Sequence, residues 1–365
     1  PNLARASAHS TRVPTIFSFP RLRAFSLVSR PGTSFLSTMS SNQGKVAAAK
    51  LVEERVTAVI TAEGAISAPV EGKDNSKSIG THDGHFHCDE AFACGMLQLV
   101  EEFRGWPIVR TRNADVLNSC GIVVDVGGTF DPVQKRFDHH QRGFEETFDE
   151  EHATKLSSAG LVYKYYGKEI LATIAAATGA TVNEDLINLL HVKVYDNFVE
   201  HIDGIDNGID PYTGERNYNV SSHLSARVGQ LNPAWNEDHS SEMANFGQAV
   251  TLTTTEFVQC VAGLYTVWLP AREVVEKAVR SRKEVDPSGE LIQLEMPCPW
   301  KSHLYNLETE GLAGLEPGQV KYVIYPDSSG NWRIQCVSLD ENSFTNRLSL
   351  PEKYRGVRDD ELSEL

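Results

Sequence analysis

Along this chain of 365 residues the apolar positions come first in short runs and later in long helical stripes. Ser78 to His82, Pro107 to Thr111 (P-I-V-R-T) and Gly121 to Val126 (G-I-V-V-D-V) are short and apolar, and Gly127-Gly128 closes the third. They read as strands, the third as a buried parallel one. Between the first two, Asp89 to Phe103 places Ala91, Phe92, Leu97, Leu99 and Val100 close to the helical period, with Asp89 and Glu90 suited to a helix N-terminus. Strands alternating with helices predict an α/β fold, with a parallel sheet flanked by helices over residues 77–210.

Ser157 to Thr178 is rich in alanine and leucine and predicts a helix, with a break at Gly167. Asn183 to Asp203 predicts a second, on which Asp196, Glu200 and Asp203 share a face. Such a face is as readily a solvated surface as a site, although D-G-I-D-N-G adds Asp206 nearby. Turn residues at 207–215 mark a change of organisation. Residues 240–284 then carry the stripe Phe246, Val250, Phe257, Val261, Leu264 and Trp268, which Pro270 should kink or restart. Strands at Leu291 to Leu294, 320–325 and 332–337, the last two joined by P-D-S-S-G-N as a hairpin, predict a smaller C-terminal α+β domain over 211–365. Residues 41–77 read as a frayed helix and then a linker, the linker placed at 46–76.

Charge changes this picture at one end. The net charge is −15, so any nucleic-acid contact needs a local basic groove. Residues 1–52 run the other way, with Arg5, Arg12, Arg21, Arg23, Arg30, Lys45 and Lys50, many serines and no acid. That composition predicts a mitochondrial presequence over 1–45, with a disordered basic tail as the alternative. The expected location is the mitochondrial matrix, with a nuclear or cytosolic form starting near Met39. No apolar run is long enough to span a membrane. The six cysteines form no C-x-x-C pair and read as reduced thiols.

The chemistry concentrates in one stretch. I-G-T-H-D-G-H-F-H-C-D-E places His82, His85, His87 and Asp89 together, and Asp125 and Asp138-His139-His140 follow. In parallel sheets ligands bind at the carboxyl ends of strands, where His82 and Asp125 fall. A carboxylate ending a buried strand is costly without a cation or a strong partner. With Asp196 or Asp203 reaching in from a helix, the mixed His and Asp set suits two divalent cations, Mn²⁺ ahead of Mg²⁺, better than one structural zinc. His85 reads as a surface loop residue and Cys88 as a packed thiol. Arg110, Arg112, Arg136, Arg142, Lys155 and Arg227 are the basic residues available to a substrate. Tyr212, Tyr218 and Trp235 could stack bases, with core packing as the alternative.

D-H-H at 138–140, preceded by V-V-D-V-G and by the first His and Asp cluster, resembles the DHH phosphoesterase superfamily. G-T-H-D-G-H-F-H-C-D-E-A, R-F-D-H-H-Q-R-G-F, V-Y-D-N-F-V-E-H-I-D-G-I-D-N-G-I, L-S-A-R-V-G-Q-L-N-P-A-W-N and Y-P-D-S-S-G-N-W-R-I-Q-C-V, in that order, resemble the melanocyte-proliferating-gene exonuclease family. The resemblance runs over about residues 76–365 and implies a metal-dependent 3′→5′ RNA exonuclease of mitochondria and nucleus. It implies that His82, His87 and Asp125 hold one metal and Asp89, Asp125, His139 and Asp196 the other. His140 would face the scissile phosphate and Arg142 would neutralise it, with Arg227, Asn232 and Lys155 on the substrate. His87 stands where many superfamily members carry Asp. The family pattern continues past Leu365 into a Gly-Gly-His segment, so the C-terminal domain is expected to be truncated. Two rivals remain: a hydrolase of small phosphoanhydrides or dinucleotides, and a non-catalytic metal-binding regulator. Oligomeric state is not legible.

Overall fold

The three short apolar runs become the centre of a sheet. A computed structural model describes residues 40–357 except 71 and 216, together with 361, 362 and 364. The expected presequence lies for the most part outside the described residues, as does Met39. Strands β1 (Ile66–Ser67), β2 (Ile79–Thr81), β3 (Ile108–Arg110), β4 (Ile122–Val124), β5 (Phe130–Asp131) and β6 (Arg136–Phe137) pair in the order β1-β3-β2-β4-β6-β5. All pairs are parallel except β5 with β6 at one edge. Every residue of β2, β3 and β4 is buried, as continuous apolar runs require. From β2 the chain goes to β3 on one side and then to β4 on the other. The crevice at such a switch point is where open α/β sheets bind ligands.

The helix Cys88–Leu99 follows β2 and is buried along its whole length. It packs on the helices Ser158–Ala177 and Glu242–Gly263. Gly95 allows that approach, since a Cβ there would sit 1.8 Å from Thr254 Oγ1. Ser158–Ala177 runs unbroken through Gly167. The helix Leu269–Arg280 restarts at Pro270 after a π-helical turn, Leu264–Trp268.

Two expected boundaries move. Residues 46–60 are not linker: the helix Ser41–Val52 continues through a π-helical turn, Glu53–Thr57, and a last turn, Ala58–Ile60. It packs Ala48, Leu51, Val52, Val56 and Ile60 into the main core. Steps of four between Ala48, Val52, Val56 and Ile60 make a helical stripe that exposed polar neighbours dilute. The cores also do not divide at 210. The largest core draws on residues from Ala48 to Trp268, the next on residues from Val275 to Val337, and a small third cluster gathers Val109, Leu117, Cys120, Val123 and Val126. The stripe Phe246, Val250, Phe257 and Val261 faces the first core, so its helix joins the large sheet. The second core carries the sheet β7-β8-β9, formed by β7 (Leu291–Gln293), β8 (Tyr322–Pro326) and β9 (Trp332–Cys336), with β8 and β9 as the expected hairpin. Among the described residues no helix is long and apolar enough to cross a membrane, and all six cysteines are free.

Candidate metal centre

Three neighbouring strands deliver the side chains. β2 runs into His82, β4 into Asp125, and β6 into Asp138, His139 and His140, so the three loops leave one rim of the sheet side by side. Asp125 takes a φ of 58°. This left-handed conformation costs a non-glycine residue of order 1–3 kcal/mol, least for Asp and Asn. Asp138 braces the third loop: its carboxylate accepts from the Gly128 N–H at 2.5 Å, from the His140 N–H at 3.1 Å and lies 2.8 Å from His140 Nδ1. At the start of the Cys88–Leu99 helix, Glu90 accepts from the His87 N–H at 2.8 and 3.0 Å, half of a capping box.

The imidazoles converge on carboxylates. His82 Nε2 lies 3.1 Å from Glu90 Oε1 and 3.4 Å from Asp125 Oδ2. His139 Nε2 lies 3.3 Å from Asp125 Oδ1, 3.2 Å from Asp206 Oδ2 and 3.9 Å from Asp89 Oδ2. Asp125 therefore turns one oxygen to each histidine, the disposition of a bridging ligand. Three overlapping groups have donor atoms close enough for a shared ion: His82, His87, Glu90 and Asp125; Asp125, His139 and His140; and Asp89, His139 and Asp206.

The donor set fits a cation on the structure's own terms. Both Asp89 oxygens are buried without a hydrogen-bond partner. Both His139 ring nitrogens are also buried without a hydrogen bond, Nε2 despite the carboxylates around it. Burial, reinforced by Asp125, Asp206 and Glu90, holds the Asp89 carboxyl far above the usual carboxylate range. Burial opposes a charge on His82 and His139, but Asp125 with Glu90 for the first, and Asp125 with Asp206 for the second, raise each to about 10. Burial likewise works against the Asp125 charge, yet His139 and His82 hold its pKa well down. A buried acidic pocket sharing protons in this way is where a divalent cation replaces them. The mixed oxygen and imidazole donors, without thiolate, suit a hard or borderline ion.

The predicted residues divide. His82, His87, Asp89, Asp125, His139 and His140 come together; Asp196 does not. Asp196 Oδ1 instead lies 2.8 Å from His152 Nε2. Asp203, the other helical choice, accepts from the Ser157 N–H, the Ser157 hydroxyl, the Gly160 N–H and the Tyr195 hydroxyl at 2.7–3.0 Å. Asp206 takes the place expected of them. Asp196 lies within a π-helical turn, Tyr195–Val199, which shifts the phase of the helix after it, and Asp206 sits one turn beyond Asp203 at that helix's end. Glu90 was missed as a donor because its position also suits a helix N-terminus; its neighbour Asp89 gave the same signal.

The substrate residues also divide. A cleft of about 580 Å³ opens over the centre, lined by His85, His87, Asp125, His139, His140, Lys155, Asp206 and His223 among others. Lys155 is in the expected place, and His85 lines the cleft beside His87. Arg142 is exposed and outside the lining. Arg227 is engaged by Glu256 through two nitrogens at 2.5 and 2.7 Å. Asn232 accepts from the Phe86 N–H at 2.9 Å and donates to the Phe86 carbonyl at 2.8 Å, so its amide is a backbone clamp. Arg110 is wholly buried. It donates to the His82 and Gly84 carbonyls at 3.2 and 2.7 Å and pairs with Glu242 at 2.7 Å, which fixes the ligand loop. Arg136 donates to the Asn118 and Cys120 carbonyls.

A mostly parallel sheet with buried imidazoles and carboxylates at its carboxyl rim defines an α/β protein with a candidate metal centre. The model of an uncharacterised protein family (UPF0160), the MYG1 exonuclease model, matches residues 78–365. The chain belongs to that family. It is 47% identical to the MYG1 exonucleases of Bos taurus and Homo sapiens over 295 residues, 79% of this chain and 76% and 77% of theirs. It is 44% identical to the MYG1 protein YER156C of Saccharomyces cerevisiae over 297 residues, 79% of this chain and 86% of that one. No solved structure matches it significantly.

Proposed function

We propose that the protein is a metal-dependent phosphodiesterase with a DHH-type centre, a 3′→5′ RNA exonuclease of mitochondria and nucleus. The observation that carries it is Asp89, buried with both oxygens unpartnered beside Asp125 and Asp206. The curated mammalian relatives are named exonucleases. His82, His87, Glu90 and Asp125 would hold one ion and Asp89, Asp125, His139 and Asp206 a second. Two divalent cations, Mn²⁺ ahead of Mg²⁺, would supply Lewis acidity and a water acidified near neutrality. His140 is committed at Nδ1 to Asp138, which raises its pKa and leaves Nε2 for a phosphate oxygen. Lys155 adds a cation on the cleft wall, while Arg142 and Arg227 are less suited to the phosphate. The basic, acid-free segment 1–52 supports the mitochondrial address.

A second reading, hydrolysis of small phosphoanhydrides or dinucleotides, is favoured by the modest cleft and the charge of −15. Purified protein with Mn²⁺ or Mg²⁺ and an RNA length series labelled at either end separates the two. Mononucleotides released stepwise from the 3′ end are expected, with Asp125→Ala losing both bound metal and turnover. Turnover of dinucleotides alone would sink the exonuclease reading.

A further inference from the structure

The loop from Asn232 to Glu242 is joined at both ends to the loop that carries His82 and His87. At one end Asn232 makes its two hydrogen bonds to Phe86. At the other, Glu242 Oε1 accepts from the Gly84 N–H at 3.2 Å and from Arg110 at 2.7 Å. Between these anchors the chain makes a tight turn. The Glu237 N–H donates to the Ala234 carbonyl at 3.0 Å, and the Ala234 N–H donates to Glu237 Oε2 at 2.9 Å. Trp235 is a central residue of that turn and is 93% exposed. Large aromatics ordinarily bury most of their surface, so a rigid turn holding an indole in water needs a reason.

Position and chemistry supply one. Three residues span at most about 10 Å, so Trp235 stays within that distance of Asn232, which clamps Phe86 on the cleft wall. Residues 230–241 contain no lysine or arginine, and Glu237 and Asp238 follow Trp235 in the chain, so the turn does not attract phosphate. Asn236, Glu237, Asp238, His239 and Ser240 are exposed polar neighbours, so beyond Pro233, Ala234 and the indole itself the turn offers little apolar surface to a protein partner. What remains is one flat π face on a preorganised support, which fits an unpaired base.

We propose that Trp235 is a base-stacking subsite seating a nucleobase of a single strand whose phosphate lies in the cleft. This rests on the phosphodiesterase reading and narrows its substrate to single-stranded polynucleotide. Full-chain wild type, Trp235→Ala and Trp235→Phe are compared with Mn²⁺ on a short oligoadenylate and on bis(p-nitrophenyl) phosphate, which is too small to reach the turn. Trp235→Ala should raise the oligoadenylate KM roughly 5- to 150-fold more than that of the small diester, and Trp235→Phe should recover most of the loss. Equal effects on both substrates overturn the subsite and leave the phosphodiesterase standing. Binding is read separately by indole fluorescence in EDTA. Oligoadenylate should quench the wild type, and Trp235→Phe should bind without that quench. A quench that persists in Trp235→Phe, or none in the wild type, overturns the subsite. Hydrolysis of neither substrate, with the quench intact, sinks the phosphodiesterase reading while supporting the subsite.

Discussion

Two parts of the molecule bury ionisable side chains, and they treat them in opposite ways. In the C-terminal core Arg347 meets Glu308 through both guanidinium nitrogens at 2.5 and 2.8 Å. Arg272 pairs with Glu276 and Glu310, each at 2.7 Å, and buried Arg282 donates to the Val279 and Ala313 carbonyls. Each of these three guanidinium groups meets an opposite charge or carbonyl dipoles, with the Arg282 Nε alone among their buried nitrogens left without a partner. At the carboxyl rim of the large sheet, Asp89, Glu90 and Asp125 are buried with Asp206 beside them, and only two buried imidazoles face them. Desolvating a charge costs several kcal/mol unless something compensates. Buried charge that is matched holds a fold together; buried charge left unmatched marks a place for a ligand.

The sharpest way to break this comparison is to neutralise one carboxylate in each part. Asp89→Asn keeps the shape and removes the carboxyl whose ionised form has no partner. Metal stoichiometry should fall, and kcat/KM should drop on the order of 10³-fold, the several kcal/mol that a Lewis acid supplies. The metal-free variant should nevertheless melt at or above the wild-type temperature. Glu308→Ala strands Arg347 in the C-terminal core and should cost about 3–5 kcal/mol on denaturant unfolding, with metal content per folded molecule unchanged. If Asp89→Asn weakened the metal-free fold while Glu308→Ala did not, the contrast would be lost.

The two parts were also unequally legible in the sequence. The rim strands could be read because doubly buried strands are continuous apolar runs. Two of them end in an unusual polar residue, which pointed to His82 and Asp125; His139 was read from the D-H-H motif, because the two-residue strand before it, Arg136–Phe137, leaves no apolar run. The helical contribution could not be read, because a π-helical turn is not visible in a pattern of period 3.6; Asp206 therefore lay beside two better-spaced acids. The surroundings of Glu90 and Asn232 could not be read for a related reason. Each has a plausible local or substrate role, and only the fold reveals that Glu90 faces His82 and Asn232 holds Phe86. The first helix was expected as a frayed one, and its continuation to Ile60 and its place in the core were hidden because its stripe is four residues apart amid exposed lysines and glutamates.

Ser158 sharpens the comparison at intermediate size. Its hydroxyl shares its one proton between the Phe137 carbonyl at 2.9 Å and Asp125 Oδ1 at 3.2 Å, so it sits behind the Asp125 carboxylate. Partners behind a ligand orient it, and their loss typically costs 10–100-fold in metal affinity. Ser158→Ala should weaken Mn²⁺ binding about 10-fold by calorimetry, with a melting temperature close to wild type. A large stability loss at unchanged affinity would make Ser158 a packing residue instead.

The smallest effect is expected from Asp196→Ala, and its contrast with Asp206→Ala decides which acid of the helical pair serves the centre. Asp206→Ala removes a carboxylate 3.2 Å from His139 and should lose one ion per chain. Asp196→Ala removes only the partner of His152, so metal stoichiometry should hold and stability should fall by about 1 kcal/mol or less. Asp196, with Asp149 behind it and burial opposing, raises the His152 pKa to about 9. That lies above the unfolded value near 6.5, so the folded state binds the proton more tightly. The stabilisation is complete below pH 6.5 and disappears as pH rises through 9. The cost of Asp196→Ala should therefore be greatest at mildly acidic pH and vanish above the folded pKa. A cost that grew with pH, or a lost ion at any pH, would return Asp196 to the metal centre.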